Sequence, residues 1–134
     1  MPDSDLRILI VEDEPLVGHL FESVLSEDGY IVALVATGRA ALRLVADYDY
    51  SVGVVDMSLP DMEGSEVIRL ILVERPFMKI LVVTGMMVGV MQGLALEAGA
   101  NTVLAKPVSP NELRAAVFHL IDPANHWLAT APGN

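Results

Sequence analysis

Short apolar runs alternate along this chain with longer segments of helical periodicity. The runs are rich in β-branched residues and cover Ile8–Val11, Ile31–Val35, Val52–Val55, Ile80–Val83 and Thr102–Leu104. Near-continuous apolar runs of this length are typical of strands buried on both faces of a parallel sheet. The pattern therefore predicts five parallel β-strands.

Each run is followed by a segment whose apolar residues lie three or four positions apart, as in an amphipathic helix. These segments extend from about Pro15 to Gly29, Arg39 to Ala46, Ser65 to Glu74, Met87 to Ala98 and Pro110 to Ile121. Pro15 suits a first helical turn, and Gly29 and Gly99 suit helix ends. Ser109 and Glu112 form the signature of a capping box around Pro110.

Strand and helix thus alternate five times, an order that predicts an α/β fold of (βα)₅ type with helices on both faces of the sheet. The chain has 134 residues, which suits one domain. Its 53% hydrophobic content against 19% charged residues excludes intrinsic disorder. We assign residues 1–121 to the domain and residues 122–134 to a short, irregular C-terminal tail.

The charge balance restricts the possible partners. Eighteen Asp and Glu against eight Lys and Arg give a net charge of -10, which makes direct binding to nucleic acid or to an anionic membrane unfavourable. The absence of cysteine excludes disulfides, thiolate zinc sites and cysteine nucleophiles. The acidic N-terminus does not resemble a signal peptide, and the longest uncharged apolar stretch is shorter than the roughly 20 residues of a membrane span. We therefore expect a cytoplasmic protein.

Polar residues follow four of the predicted strands. They are Glu12, Asp13 and Glu14 after the first, Asp56 after the third, Thr84 at the end of the fourth and Lys106 after the fifth. In open α/β sheets the ligand site lies beyond the carboxyl ends of the strands, so these side chains should meet there. Clustered carboxylates repel one another unless a cation neutralises them, and hard oxygen ligands suit Mg²⁺. A nearby lysine suits an anionic group such as a phosphoryl group.

This set of residues resembles the CheY-like receiver domain of two-component response regulators, over about residues 6–121. Three further segments follow the family's pattern: Leu59–Gly64, Ala98–Ala100 and Lys106–Pro107. The resemblance implies a flavodoxin-like, doubly wound sheet of five parallel strands in the order 2-1-3-4-5. It also implies that the domain takes part in a phosphorelay.

The resemblance assigns a role to each matching residue. Asp56 would accept a phosphoryl group from a histidine kinase or a His-containing phosphotransfer protein. Mg²⁺ would be bound by Asp13, Asp56 and the backbone carbonyl of Ser58, with Glu12 acting through water. Thr84 and Lys106 would contact the phosphoryl group, and the peptide bond before Pro107 would be cis.

The chain departs from the family's pattern at two places that concern signalling. Strand 5 has Val103 at the switch position where receivers usually have Tyr or Phe. Helix 4 begins with an unusually apolar segment, and we expect Met87, Val90 and Met91 to form part of a partner surface with strand 5 and helix 5. The occupant would be an output protein or a second copy of the chain.

Only 13 residues follow helix 5, which predicts a stand-alone receiver rather than an enzyme, with activity limited to its own phosphorylation and dephosphorylation. Three other classes of protein fit these residues less well. An aspartyl-phosphate phosphatase would need a second Asp where Ser58 stands. A flavodoxin-like cofactor carrier would need a phosphate loop, where Glu12, Asp13 and Glu14 would repel phosphate. A protein-binding pseudo-receiver would not need the complete set of site residues.

Overall fold

The computed structural model describes residues 6–85 and 88–122. In this part of the chain the strands are β1 Arg7–Val11, β2 Ile31–Val35, β3 Val52–Asp56, β4 Lys79–Thr84 and β5 Thr102–Ala105. The helices are α1 Pro15–Glu27, α2 Gly38–Asp47, α3 Gly64–Glu74, α4 Val88–Ala98 and α5 Pro110–Ile121. The predicted (βα)₅ order is confirmed, whereas most of the predicted tail lies outside the described residues.

The strands form one parallel sheet in the order β2-β1-β3-β4-β5, which confirms the predicted strand order. Strand β1 pairs with β2 on one side and with β3 on the other. The direction of winding therefore reverses between β1 and β3. In doubly wound sheets this reversal opens a crevice at the carboxyl ends of the strands, where ligands bind.

The sheet separates two apolar clusters because successive side chains of a strand point to opposite faces. Leu9 and Val11 of β1 belong to the cluster that α2, α3 and α4 cover. Ile8 and Ile10 belong to the cluster that α1 and α5 cover. All four side chains are fully buried, so β1 lies at the centre of the fold with neither face exposed.

Local capping interactions fix several helix ends. The predicted capping box of α5 is present, with Ser109 Oγ accepting from the Glu112 amide and Glu112 accepting from the Ser109 amide. Gly29 and Gly99 follow α1 and α4 with φ angles of 94° and 119°. Residues with a Cβ rarely adopt this region, which explains glycine at both helix ends.

Helix α2 is capped from two places in the chain. Thr37 Oγ1 accepts from the Ala40 amide, which is an ordinary local N-cap. Asp61, in the connection between β3 and α3, accepts from the amides of Gly38 and Arg39 at 2.9 and 3.0 Å. The two backbone hydrogen bonds, that of Gly38 foremost, lower the pKa of Asp61. The connection after β3 is thereby tied to the start of α2.

Among the described residues, no helix is both long enough and apolar enough to cross a lipid bilayer.

Two glycines of the fold should respond to alanine in opposite ways. A Cβ at Gly93 in α4 would meet no other part of the described structure within 4 Å, so Gly93→Ala should stabilise the protein by about 1 kcal/mol through helix propensity. A Cβ at Gly64 would lie 2.6 Å from Met57 Cα and 2.9 Å from the Asp56 carbonyl oxygen. Those backbone atoms cannot move aside, so Gly64→Ala should cost about 2 kcal/mol.

Urea denaturation of both glycine variants measures the two effects. A shift of the same sign for both would contradict this account of their surroundings.

Candidate functional site

The candidate site lies at the carboxyl edge of the sheet. Asp56 and Thr84 are the last residues of β3 and β4, while Glu12 and Lys106 directly follow β1 and β5. Parallel strands end at the same edge, so residues up to 94 positions apart in sequence meet there. Glu12, Asp56 and Thr84 are 3%, 4% and 1% exposed. They are three of the four buried polar residues in the described part of the chain.

Lys106 connects the buried carboxylates. Its Nζ lies 3.0 Å from Glu12 Oε1 and 3.3 Å from Asp56 Oδ2. It donates hydrogen bonds to Glu12 Oε2 and to Asp56 Oδ2, each at 3.3 Å. The Lys106 amide donates to the Thr84 carbonyl at 2.8 Å, and the Lys106–Pro107 peptide bond is cis. One ammonium group therefore serves two carboxylates at the centre of the site.

Burial and the shared lysine change the ionisation of this cluster. Burial raises the pKa of Glu12 to about 7; the hydrogen bond from Lys106 opposes the shift, and the charge of Asp56 reinforces it. Burial alone would lower the pKa of Lys106, but its contacts with Glu12 and Asp56 outweigh burial and raise that pKa. These contacts stabilise the charged form of the Lys106 ammonium group, whereas burial stabilises the neutral form of Glu12.

The site has the oxygen ligands that a divalent cation requires. One carboxylate oxygen from each of Glu12, Asp13 and Asp56 lies within 4.8 Å of the others. Glu12 Oε1 is buried and accepts no hydrogen bond from the described residues, although Lys106 Nζ is its ionic neighbour. Asp13 is exposed at the rim, and hard carboxylate donors suit Mg²⁺. The residues present therefore fit a magnesium ion.

The Ser58 backbone lies next to Asp56, because its amide donates to Asp56 Oδ1 at 3.0 Å. This contact fixes one carboxylate oxygen while Lys106 holds the other. Five residues assigned to the site by sequence therefore lie within one network of contacts: Glu12, Asp13, Asp56, Ser58 and Lys106. Thr84 adjoins them through the Lys106 backbone.

The structure shows the contacts of two residues to which the resemblance assigns no role, Glu14 and Asp61. Glu14 Oε1 lies 3.7 Å from Lys106 Nζ, and the Glu14 amide donates to Glu12 Oε2. The run of three acidic residues after β1 was a signal for it. Asp61 is tied to α2 across 23 residues of sequence, and no local pattern indicates that contact.

The predicted partner surface is only partly exposed. Val90 is 60% exposed, whereas Met91 and Val103 are half-buried and pack against the core between the sheet and α3. Met87 lies outside the described residues. Leu94 and Leu96 are exposed as well, at 41% and 46%. Nearly every position of α4 is apolar or small, so periodicity could not show which side chains face solvent.

The fold and the site together define a family of signalling domains. The family model of the response regulator receiver domain matches residues 8–118, and the chain belongs to this family. The match covers most of the domain and includes every strand except the first residue of β1.

Individual relatives agree with this assignment. The transcriptional regulatory protein TcrA of Mycobacterium tuberculosis is 37% identical over 110 residues, covering 82% of this chain and 44% of TcrA. The chain spans about half the length of the curated relatives it matches. A CheY-like receiver domain protein from Methanospirillum hungatei superposes with a TM-score of 0.86 at 31% identity, covering 91% and 98% of the two chains.

A second solved structure bears on the metal site. The receiver domain of the sensor histidine kinase PA1611 from Pseudomonas aeruginosa superposes with a TM-score of 0.79 at 32% identity. The match covers 87% of this chain and 98% of that domain. That structure has a magnesium ion coordinated in its active site cleft.

The two lysines of the chain allow a matched test of the site's electrostatics. Lys106→Met leaves Glu12 and Asp56 buried without a cation, so it should lower the free energy of unfolding by about 3 kcal/mol in EDTA at pH 8. Lys79→Met, at the exposed first residue of β4, should change it by less than about 0.5 kcal/mol. Urea denaturation compares both variants with the wild type, and equal effects would contradict the assigned role of Lys106.

Proposed function

We propose that this chain is a phosphorelay receiver whose phosphoacceptor is Asp56. A carboxylate oxygen of Asp56 attacks the phosphorus of a phosphohistidine on a histidine kinase or a His-containing phosphotransfer protein. The new O–P bond forms as the P–N bond breaks, and the imidazole leaves with the electron pair of that bond. The observation that carries the proposal is the position of Asp56, which is buried at the end of β3 between the Lys106 ammonium and the Ser58 amide.

Lys106 and Thr84 supply the groups that receive the phosphoryl oxygens. Lys106 already contacts Asp56 Oδ2 and holds its charge, so it can pair with the added anionic group. Thr84 is the last residue of β4, the strand that pairs with β3, so it is buried at the same carboxyl edge of the sheet as Asp56. Phosphoryl transfer depends mainly on such positioning and on neutralisation of charge.

The acidic group supports a requirement for Mg²⁺. Asp13, Asp56 and the Ser58 carbonyl would hold the ion, with Glu12 acting through water. When bound, the ion would neutralise charge on the carboxylates and the phosphoryl oxygens. The carboxylates converge within 4.8 Å, and the similar PA1611 receiver domain has a magnesium ion coordinated in its own active site cleft.

The signal would leave through the surface formed by α4, β5 and α5. Val90 provides exposed apolar area on α4, and exposed apolar surface commonly marks interaction sites. Val103 in β5 has no aromatic ring to reorient, so the change would pass from Thr84 to α4 directly. The domain would act by contact with an output protein or with a second copy of itself.

The assignment of the phosphoacceptor predicts a specific loss of labelling. Asp56→Asn should reduce labelling by a phosphorylated histidine kinase or by acetyl phosphate at least 100-fold, because the amide is a poor nucleophile. Asp47→Asn, at the exposed end of α2, should label like the wild type. EDTA should abolish labelling of the wild type, and stoichiometry by phosphate-affinity gel measures all three results.

Two outcomes would favour the other classes. Absence of labelling in the wild type with any histidine kinase of the same genome would indicate a protein-binding pseudo-receiver. Continuous release of phosphate from unrelated phosphate esters would indicate a phosphatase. Full labelling of Asp56→Asn would show that another residue accepts the phosphoryl group.

The output surface predicts a phosphorylation-dependent association. With Mg²⁺ and beryllofluoride, a phosphoryl analogue, the wild type should show twice its monomer mass if the occupant is a second copy. Val90→Glu should weaken that association about tenfold, because it places a charge in an apolar contact. Val73→Glu, on α3 at 80% exposure, should leave it unchanged. Light scattering measures the mass, and a monomer under all conditions would exclude the second copy and leave an output protein as the occupant.

A further inference from the structure

We propose that Asp61 is a positioning residue for the metal site, although its side chain contacts none of the site's carboxylates. It holds the connection between β3 and α3 in the conformation that presents the Ser58 backbone beside Asp56. This inference rests on the proposed function, in which the Ser58 carbonyl is a metal ligand. Residues 57–64 form a loop, and the supporting evidence is that hydrogen bonds hold both its base and its tip in place.

The base of this loop is closed next to Asp56. The Gly64 amide donates to the Met57 carbonyl at 3.1 Å, and Ser58 forms an antiparallel bridge with Glu63. Ser58 also donates its amide to Asp56 Oδ1. Ser58 therefore lies at the base of a closed loop, where any shift of the loop would move its carbonyl relative to Asp56.

The tip of the loop is fastened by Asp61. Its Oδ1 accepts from the Gly38 amide at 2.9 Å, and its Oδ2 accepts from the Arg39 amide at 3.0 Å. Both carboxylate oxygens of Asp61 therefore accept a hydrogen bond from a backbone amide. The Asp61 side chain is 22% exposed. A carboxylate also suits the positive end of a helix dipole, and α2 has no acidic residue in its own first turn.

The first turn of α2, to which Asp61 is hydrogen-bonded, is held in place by close packing. A Cβ at Gly38 would lie 2.7 Å from Val67 Cγ2 and 2.8 Å from Met62 Sδ, so α2 packs closely against both the loop and α3. The two donor amides belong to a helix and cannot follow a loop that moves. Asp61 thus transfers the fixed position of α2 to the loop that carries Ser58.

The interaction depends on the two hydrogen bonds rather than on the nearby arginine. Arg39 Nε lies 4.0 Å from Asp61 Oδ2 and its side chain is 77% exposed, so this ion pair contributes little. Asparagine can replace only one of the two acceptor oxygens. The expected order of function is therefore Asp above Asn above Ala at position 61.

The matched control is Thr37→Ala. Thr37 caps the same end of α2 through the Ala40 amide, which is a contact within α2 and not with the loop. It therefore weakens the helix end while leaving the fastening of residues 57–64 in place. Asp13→Asn is the complementary control, because it removes a proposed metal ligand and leaves the loop intact.

Two measurements by NMR test the proposal. In metal-free protein, Asp61→Ala should speed hydrogen exchange of the Ser58 amide about tenfold, whereas Thr37→Ala and Asp13→Asn should leave it unchanged. Titration with MgCl₂ should show affinity about tenfold weaker in Asp61→Ala, intermediate in Asp61→Asn and within twofold of wild type in Thr37→Ala. Asp13→Asn should bind no Mg²⁺ in the same range.

The outcomes separate this inference from the proposed function. Wild-type Ser58 exchange and Mg²⁺ affinity in Asp61→Ala would overturn the positioning role while leaving the metal site in place. Equal weakening by Thr37→Ala would also overturn it, because the effect would then belong to the stability of α2. A wild type that binds no Mg²⁺ would overturn the proposed metal site, and the positioning role with it.

Discussion

Two buried carboxylates share one ammonium group at the carboxyl edge of the sheet, and the rest of the site is arranged around this imbalance. Glu12 and Asp56 both contact Lys106, while Asp13 adds a third carboxylate at the rim. Burial makes the charged form of Glu12 costly, as its raised pKa shows. The apolar faces of β1, β3 and β4 hold these groups in place despite their repulsion, because the strands that carry them are buried on both sides.

The same imbalance makes the site receptive to added groups. A divalent cation would relieve the surplus of negative charge, and a phosphoryl group on Asp56 would find a cation already in position. The repulsion that destabilises these clustered carboxylates is therefore also what would favour binding of a cation. Functional sites commonly depart in this way from what would be most stable, while the surrounding core compensates.

Much of this protein could be predicted from local patterns. The five β-branched runs indicated buried parallel strands, and Ser109 with Glu112 indicated the start of α5, because both signals act over a few residues. The grouping of these polar residues was predictable because the carboxyl ends of parallel strands lie at a common edge of the sheet. The exposed side of α4 was not predictable, since almost every residue there is apolar or small and no polar face marks the solvent. In the structure, Met91 packs against the core and Val90 is exposed, although the sequence pattern does not distinguish the two positions.

The sequence by itself therefore determined the order of elements, the (βα)₅ class and the set of chemical groups at the strand ends. Only the tertiary structure decided how those groups share their charges, because the distances from Lys106 to Glu12, Asp56 and Glu14 depend on where separate strands end in space. It also decided the contact between Asp61 and the start of α2, because the partner amides lie more than 20 residues away in sequence. A side chain that caps a distant helix leaves no periodic signal in the sequence, since its partners are backbone amides that every residue except proline possesses.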